Sequence, residues 1–161
     1  MSGVDSIGVG VNQANLKVDA ADEVQDARTL TLADLLSADG FGRGQPFQPF
    51  GADSPGDLMT RRPTDEARAL ISLANKVLVH PKVSATSKKA ATAMREAALA
   101  LQRADGELTL ALDARIKAVT IRNQTLPQWQ KALSRLRAAI RFGDFEEGRA
   151  VCRTTAAAPR M

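Results

Sequence analysis

Apolar residues recur at helical spacing most clearly in the middle of the chain. Between 67 and 78 they stand three or four residues apart, at Ala67, Leu70, Ile71, Ala74, Val77 and Leu78. This spacing is typical of a helix with one apolar face. Thr64 is a suitable N-cap, and Asp65 and Glu66 follow in the first turn, where the helix dipole favours negative charge. The pattern therefore predicts a helix that begins at Thr64 and ends before Pro81.

A second, alanine-rich helix is predicted after Ser84 or Thr86, with Met94, Ala98 and Leu101 on its apolar side. Beyond Gly106 the pattern is ambiguous. The helical period continues at Leu108, Leu112, Ile116 and Val119. The same stretch also alternates with period two in "ELTLALD" and "KAVTI", as a strand does. The sequence is therefore compatible with either a continuous helix or short strands around 107–121.

The last predicted helix carries the clearest end signals. Thr125 is its N-cap, Pro127 stands in the first turn, where a missing N–H costs nothing, and Gly143 ends it. Its apolar positions form a stripe that we expect to be buried: Trp129, Leu133, Leu136 and Ile140. Asp144 can cap a short return helix, so the pattern predicts a terminal αα-hairpin.

The front of the chain lacks a sustained period. Only residues 31–38 suggest a short helix, which Gly40 would end, and 40–63 contains four prolines and five glycines. We therefore predict a mostly α protein in three parts. Residues 1–60 form an extended, irregular arm, residues 64–153 form a helical domain of three to five helices, and 154–161 is a tail.

Charge divides the chain in the same place. Residues 1–60 hold three basic and nine acidic side chains, a net charge of −6. Residues 61–161 hold nineteen basic and nine acidic ones, a net charge of +10. An acidic front and a basic back favour different partners, or a front that folds over the back.

A run of cations is the most informative feature of the basic half. Between Ala114 and Gly143 there is no acidic residue. The seven basic residues there are Arg115, Lys117, Arg122, Lys131, Arg135, Arg137 and Arg141. At about 100° per residue, the last four lie away from the predicted apolar stripe. Such a face could follow the phosphates of a polyanion, with backbone contact favoured over base stacking because aromatic residues are few.

Three of the five phenylalanines, Phe41, Phe47 and Phe50, lie in "GFGRGQPFQPFG". No capped helix follows these glycines, which excludes a phosphate-binding loop. The prolines before Phe47 and Phe50 favour an extended backbone that could present both rings to a groove of a partner protein. The alternative is a strap in which the rings fold back onto the helical domain.

The residues needed for catalysis are scarce. The single histidine, His80, lies at a predicted helix end, and the single cysteine, Cys152, has no other thiol to pair with. No ligand spacing indicates a metal site and no Gly-rich loop indicates a nucleotide, so we predict a protein that is not an enzyme and needs no cofactor. No apolar run is long enough to span a membrane and the first residues lack the pattern of a secretory signal peptide, so we expect a soluble intracellular protein, in the cytoplasm or inside a viral particle.

These features favour an assembly factor or structural accessory of a larger particle, such as a viral, phage or secretion complex, that acts through contacts with other protein subunits. Because the apolar faces are narrow and rich in alanine, pairing would be needed to cover Leu101, Leu108 and Leu112 together, and we expect a homodimer. The alternative function is binding of RNA backbone through the basic amphipathic helix.

Overall fold

The computed structural model describes the backbone of residues 3–155 and the side chains of residues 8–142. Four helices account for most of that part of the chain: α1 (Gly3–Ala38), α2 (Pro55–Met59), α3 (Pro63–Val79) and α4 (Ala85–Thr155), with a 3-10 turn at Gln48–Phe50. No strand occurs among the described residues. The mostly α prediction is confirmed. The chain divides into two compact units, Met1–Arg115 and Ile116–Met161.

The prediction of an irregular arm is wrong for α1, which runs from Gly3 to Ala38 instead of occupying only 31–38. The buried side of α1 follows a three- and four-residue spacing, at Val11, Ala14, Val18, Gln25, Thr29, Leu32 and Leu36. Two of these positions, Gln25 and Thr29, are polar. The Gln25 side-chain amide donates to the Thr29 hydroxyl, and that hydroxyl donates to the Gln25 carbonyl, both at 3.0 Å. This local pairing lets polar residues occupy core positions, and it interrupts the apolar period that would have indicated the helix.

Gly40 ends α1, as predicted. Its φ of 94° is a left-handed conformation that favours glycine. The amide of Phe41 donates to the carbonyl of Leu36 at 3.0 Å, which satisfies a carbonyl at the helix end. The following segment is irregular up to the 3-10 turn, and it brings Phe47 and Phe50 into the core.

The helix predicted between Thr64 and Pro81 is confirmed, since α3 spans Pro63–Val79. Its start differs by two residues: Arg62 is the N-cap and Pro63 takes the first helical position. Thr64 lies inside the first turn, where its hydroxyl donates to the carboxylate of Asp105 on α4. A proline at the first helical position loses no hydrogen bond, so it can replace a capping hydroxyl as the start signal.

The core of the first unit collects apolar side chains from every element. α1 contributes Leu32 and Leu36, the loop contributes Phe47 and Phe50, and the three later helices contribute Leu58, Leu70, Leu73, Val77, Met94, Ala98 and Leu101. Most of these side chains are completely buried. The predicted boundary between an arm and a helical domain therefore does not separate two structures: residues before 60 complete the core.

The helix α4 also corrects the prediction of a separate last helix between Thr125 and Gly143, because it continues through Gly106, Pro127 and Gly143. The stretch 107–121 is helical, so the strand alternative is wrong, and no αα-hairpin forms at Gly143. A single glycine costs a helix only about 1 kcal/mol and a proline about 3 kcal/mol, so neither residue alone has to end a long helix. Residues 154 and 155 of the predicted tail belong to α4, and 156–161 lie outside the described residues.

Candidate functional site

The second part of α4 is exposed on all sides within this chain. From Leu112 to Phe142 every side chain is exposed except those of Ala118, Val119 and Leu133, which are half-buried. An isolated helix in water is only marginally stable, and most helices in proteins depend on packing of an apolar face. An exposed helix that carries such a face is therefore a candidate surface for contact with another helix.

That apolar face is the stripe predicted from the sequence, which is not buried within this chain. Trp129 is 69% exposed, Leu136 58% and Ile140 53%, and Leu126 is 51% exposed on the same side. These four side chains are therefore uncovered along the described part of the helix. The expectation of burial within one chain is wrong, although the spacing that defines the stripe is present.

The stripe has the repeat of a helix–helix seam. Leu126, Trp129, Leu133, Leu136 and Ile140 follow one another at steps of three, four, three and four residues. Two such heptads place all five side chains on one line of the helix, as in the a and d positions of a coiled coil. We call these five residues the seam.

The flanks of the seam are small or neutral. The positions beside it, which correspond to e and g of the heptad, are Thr125, Gln130, Ala132, Arg137 and Ala139. Only Arg137 is charged. A partner helix can therefore approach closely. Because the flanks carry little charge, they neither repel nor select a particular partner.

The seven predicted polyanion-binding residues are all exposed on this helix. Lys131, Arg135 and Arg141 lie at positions that face away from the seam, and Lys117 lies on the same side as Arg135. None of the seven forms an ion pair with a side chain among residues 8–142. Arg122 and Arg115 depart from the predicted face, since they continue the line of the seam towards its N-terminal end.

The phenylalanines predicted to dock a partner lie elsewhere. Phe47 is fully buried and Phe50 is 5% exposed, so the strap interpretation holds and the docking interpretation is wrong for these two. Phe41 is half-buried, and its ring packs at 5.2 Å between centroids against both Phe50 and His80. His80 is the C-cap of α3, and its Nδ1 accepts from the Lys82 amide at 3.3 Å, which is a structural role.

The structure also brings together three carboxylates that sequence reasoning missed. Asp22 and Asp26, one turn apart on α1, meet Glu66 of α3, and a carboxylate oxygen of each lies within 4.8 Å of the others. Burial, then the charges of Asp22 and Asp26, raise the pKa of Glu66 to about 7. Burial, then Asp22, also raise the pKa of Asp26. The four-residue spacing of Asp22 and Asp26 is a signal only once that region is known to be helical, and nothing in the sequence places Glu66 beside them.

Among the described residues, no helix combines the length and the apolar character needed to cross a membrane. Comparisons with protein-family models, with curated proteins and with solved structures found no match to this chain.

Proposed function

We propose that this protein is a non-catalytic assembly factor that acts by pairing helices along the seam of α4. The observation that carries the proposal is a heptad pattern of five large apolar side chains, four of them exposed and Leu133 half-buried, along the described part of α4. Covering such a stripe removes apolar surface from water, which drives association.

A second copy of this chain is the partner that the charges favour. The cations of this region stand mainly on the far side of the helix, where they would not reach acidic groups on a helix packed at the seam. The small, mostly neutral flanks let two identical helices approach with little repulsion, apart from Arg137. A homodimer covers the seam of each chain with that of the other.

The experiment compares two aspartate substitutions at adjacent positions. Leu133→Asp places a charge in the seam, whereas Ser134→Asp places the same charge on the exposed opposite side of the helix. The mass of the full-length protein is measured by size-exclusion chromatography with light scattering across a range of protein concentrations. We expect a dimer for the wild type and for Ser134→Asp.

For Leu133→Asp we expect a monomer over that range, because burying an unpaired carboxylate in a seam is strongly unfavourable. Circular dichroism should also show lower helix content for this variant, since the unpaired helix is marginal. A wild-type protein that is monomeric at every concentration up to about 0.1 mM would refute self-pairing. A dimer with a Kd above that concentration would be weaker than most specific dimers.

A second candidate function is binding to the RNA backbone. It is supported by seven exposed cations over a stretch without one acidic residue. Pairing at the seam would leave most of them facing solvent in both copies. Each neutralised phosphate contributes about 0.7–0.9 to the slope of log affinity against log salt.

The variant with Arg135, Arg137 and Arg141 changed to Gln should therefore flatten that slope by about two to three units. A control that removes charge at the distant, exposed Arg28 and Arg43 should leave the slope near that of the wild type. Absence of RNA binding by the wild type at low salt would exclude this function and leave the assembly proposal intact.

A further inference from the structure

The carboxylate cluster lies where α1 packs on α3, in the first unit and apart from the seam. Asp22 and Asp26 are half-buried on α1, and Glu66 is in the first turns of α3. Their nearest oxygens lie within 4.8 Å of one another. Oxygens that bind one Ca²⁺ at about 2.3–2.6 Å lie up to about 5 Å apart, so the spacing of these three oxygens is close to that of ligands around one ion.

Glu66 is the residue that packing does not explain. Its side chain is 1% exposed, and neither carboxylate oxygen has a hydrogen-bond partner. A buried oxygen of Asp26, Oδ1, also lacks a partner. Buried polar atoms are nearly always satisfied in folded proteins, because an unsatisfied carboxylate is costly. A cation between these three unpartnered oxygens would supply the positive charge that their surroundings lack.

A basic side chain does not fill this role. Among residues 8–142, no lysine, arginine or histidine pairs with Asp22, Asp26 or Glu66. Burial, and then the neighbouring carboxylates, raise the pKa values of Glu66 and Asp26. Asp22 and Asp26 keep part of their surface in solvent, which leaves a path for an ion and room for water molecules to complete its coordination.

We propose that Asp22, Asp26 and Glu66 bind one divalent cation of the class that prefers oxygen ligands, with Ca²⁺, Mn²⁺ or Mg²⁺ as candidates. Three carboxylates without a histidine or cysteine suit these ions and not Zn²⁺. The ion would link α1 to α3 and so stabilise the part of the core that the first 38 residues complete.

The test uses the full-length protein after treatment with a chelator. Isothermal titration with CaCl₂, MnCl₂ and MgCl₂ should show one site for at least one ion, and the same ion should raise the melting temperature by several degrees when it is in large excess over its Kd. Asp22→Asn and Asp26→Asn should each weaken binding by tenfold or more. Both residues are partly exposed, so these variants should still fold.

Two further variants distinguish specific binding of the ion from general screening of negative charge. Glu66→Gln should abolish binding but melt at a higher temperature than the ion-free wild type, because it removes a buried charge and keeps the shape of the side chain. Glu23→Gln, next to Asp22 but exposed, should bind as the wild type does. The proposal is overturned if none of the three ions binds up to about 10 mM, a concentration far above the Kd range of protein Ca²⁺ sites. It is equally overturned if Glu23→Gln weakens binding as much as Asp22→Asn does.

Discussion

Replacing Leu32 by alanine tests whether the first 60 residues belong to the core. Leu32 lies near the end of α1 and is completely buried, in the same apolar cluster as Leu70 and Leu101. An arm that only touched the surface would lose little when this side chain is shortened. A core residue leaves a cavity that its neighbours fill only in part.

The expected loss is about 2–5 kcal/mol in the free energy of unfolding, the range for a buried leucine changed to alanine. For the unit Met1–Arg115, an unfolding entropy of about 2.1 cal/mol/K per residue amounts to about 0.24 kcal/mol/K. Dividing the loss by this entropy predicts that the melting temperature falls by about 8–20 °C. Because small domains have only about 5–15 kcal/mol of stability, Leu32→Ala should remove a large share of it.

Leu110→Ala is the matched control, since Leu110 lies in the same unit and in the interior of α4 but is 71% exposed. It should change the free energy of unfolding by less than about 0.5 kcal/mol. Both variants are measured by thermal and urea unfolding followed by circular dichroism, at one protein concentration. If Leu32→Ala melts within a degree or two of the wild type, α1 does not complete the core and the account of the fold fails.

Two other predictions concern the same unit. A chain that begins at Arg61 should lose cooperative melting, because it lacks α1 and the phenylalanine strap; a sharp transition in that fragment would contradict the shared core. Asp39 accepts hydrogen bonds from the Ser87 hydroxyl at 2.6 Å and the Ser84 amide at 3.0 Å, and these bonds lower its pKa. Asp39→Ala should therefore cost about 0.5–1 kcal/mol, or about 2–4 °C, at pH 7. The stabilisation is present above the unfolded pKa near 3.8 and is lost as the pH falls through the lower folded value, so the difference from wild type should narrow below about pH 4. Asp34→Ala, an exposed change within α1, should leave the melting temperature at pH 7 near that of the wild type.

Local pattern in the sequence was sufficient for several elements. The regular apolar spacing from Ala67 to Leu78 predicted α3. Gly40 marked the end of α1, because glycine readily adopts the left-handed backbone conformation found at that helix end. The heptad positions of Trp129, Leu133, Leu136 and Ile140 were also evident, since a helix face depends only on spacing along the chain. The mostly α class followed from these signals.

Tertiary contacts decided the rest. Gln25 and Thr29 occupy core positions of α1 and hydrogen-bond to each other there, so the apolar period of that helix was hidden. Phe47 and Phe50 were equally suited to a strap or a docking segment until the positions of α1 and α3 were known, because burial depends on what lies opposite a ring. The cluster of Asp22, Asp26 and Glu66 joins residues about 40 positions apart, and only the packing of two helices brings their oxygens together. Spacing along the chain determines which side chains share a face, whereas the partner of that face depends on three-dimensional packing that no local pattern encodes.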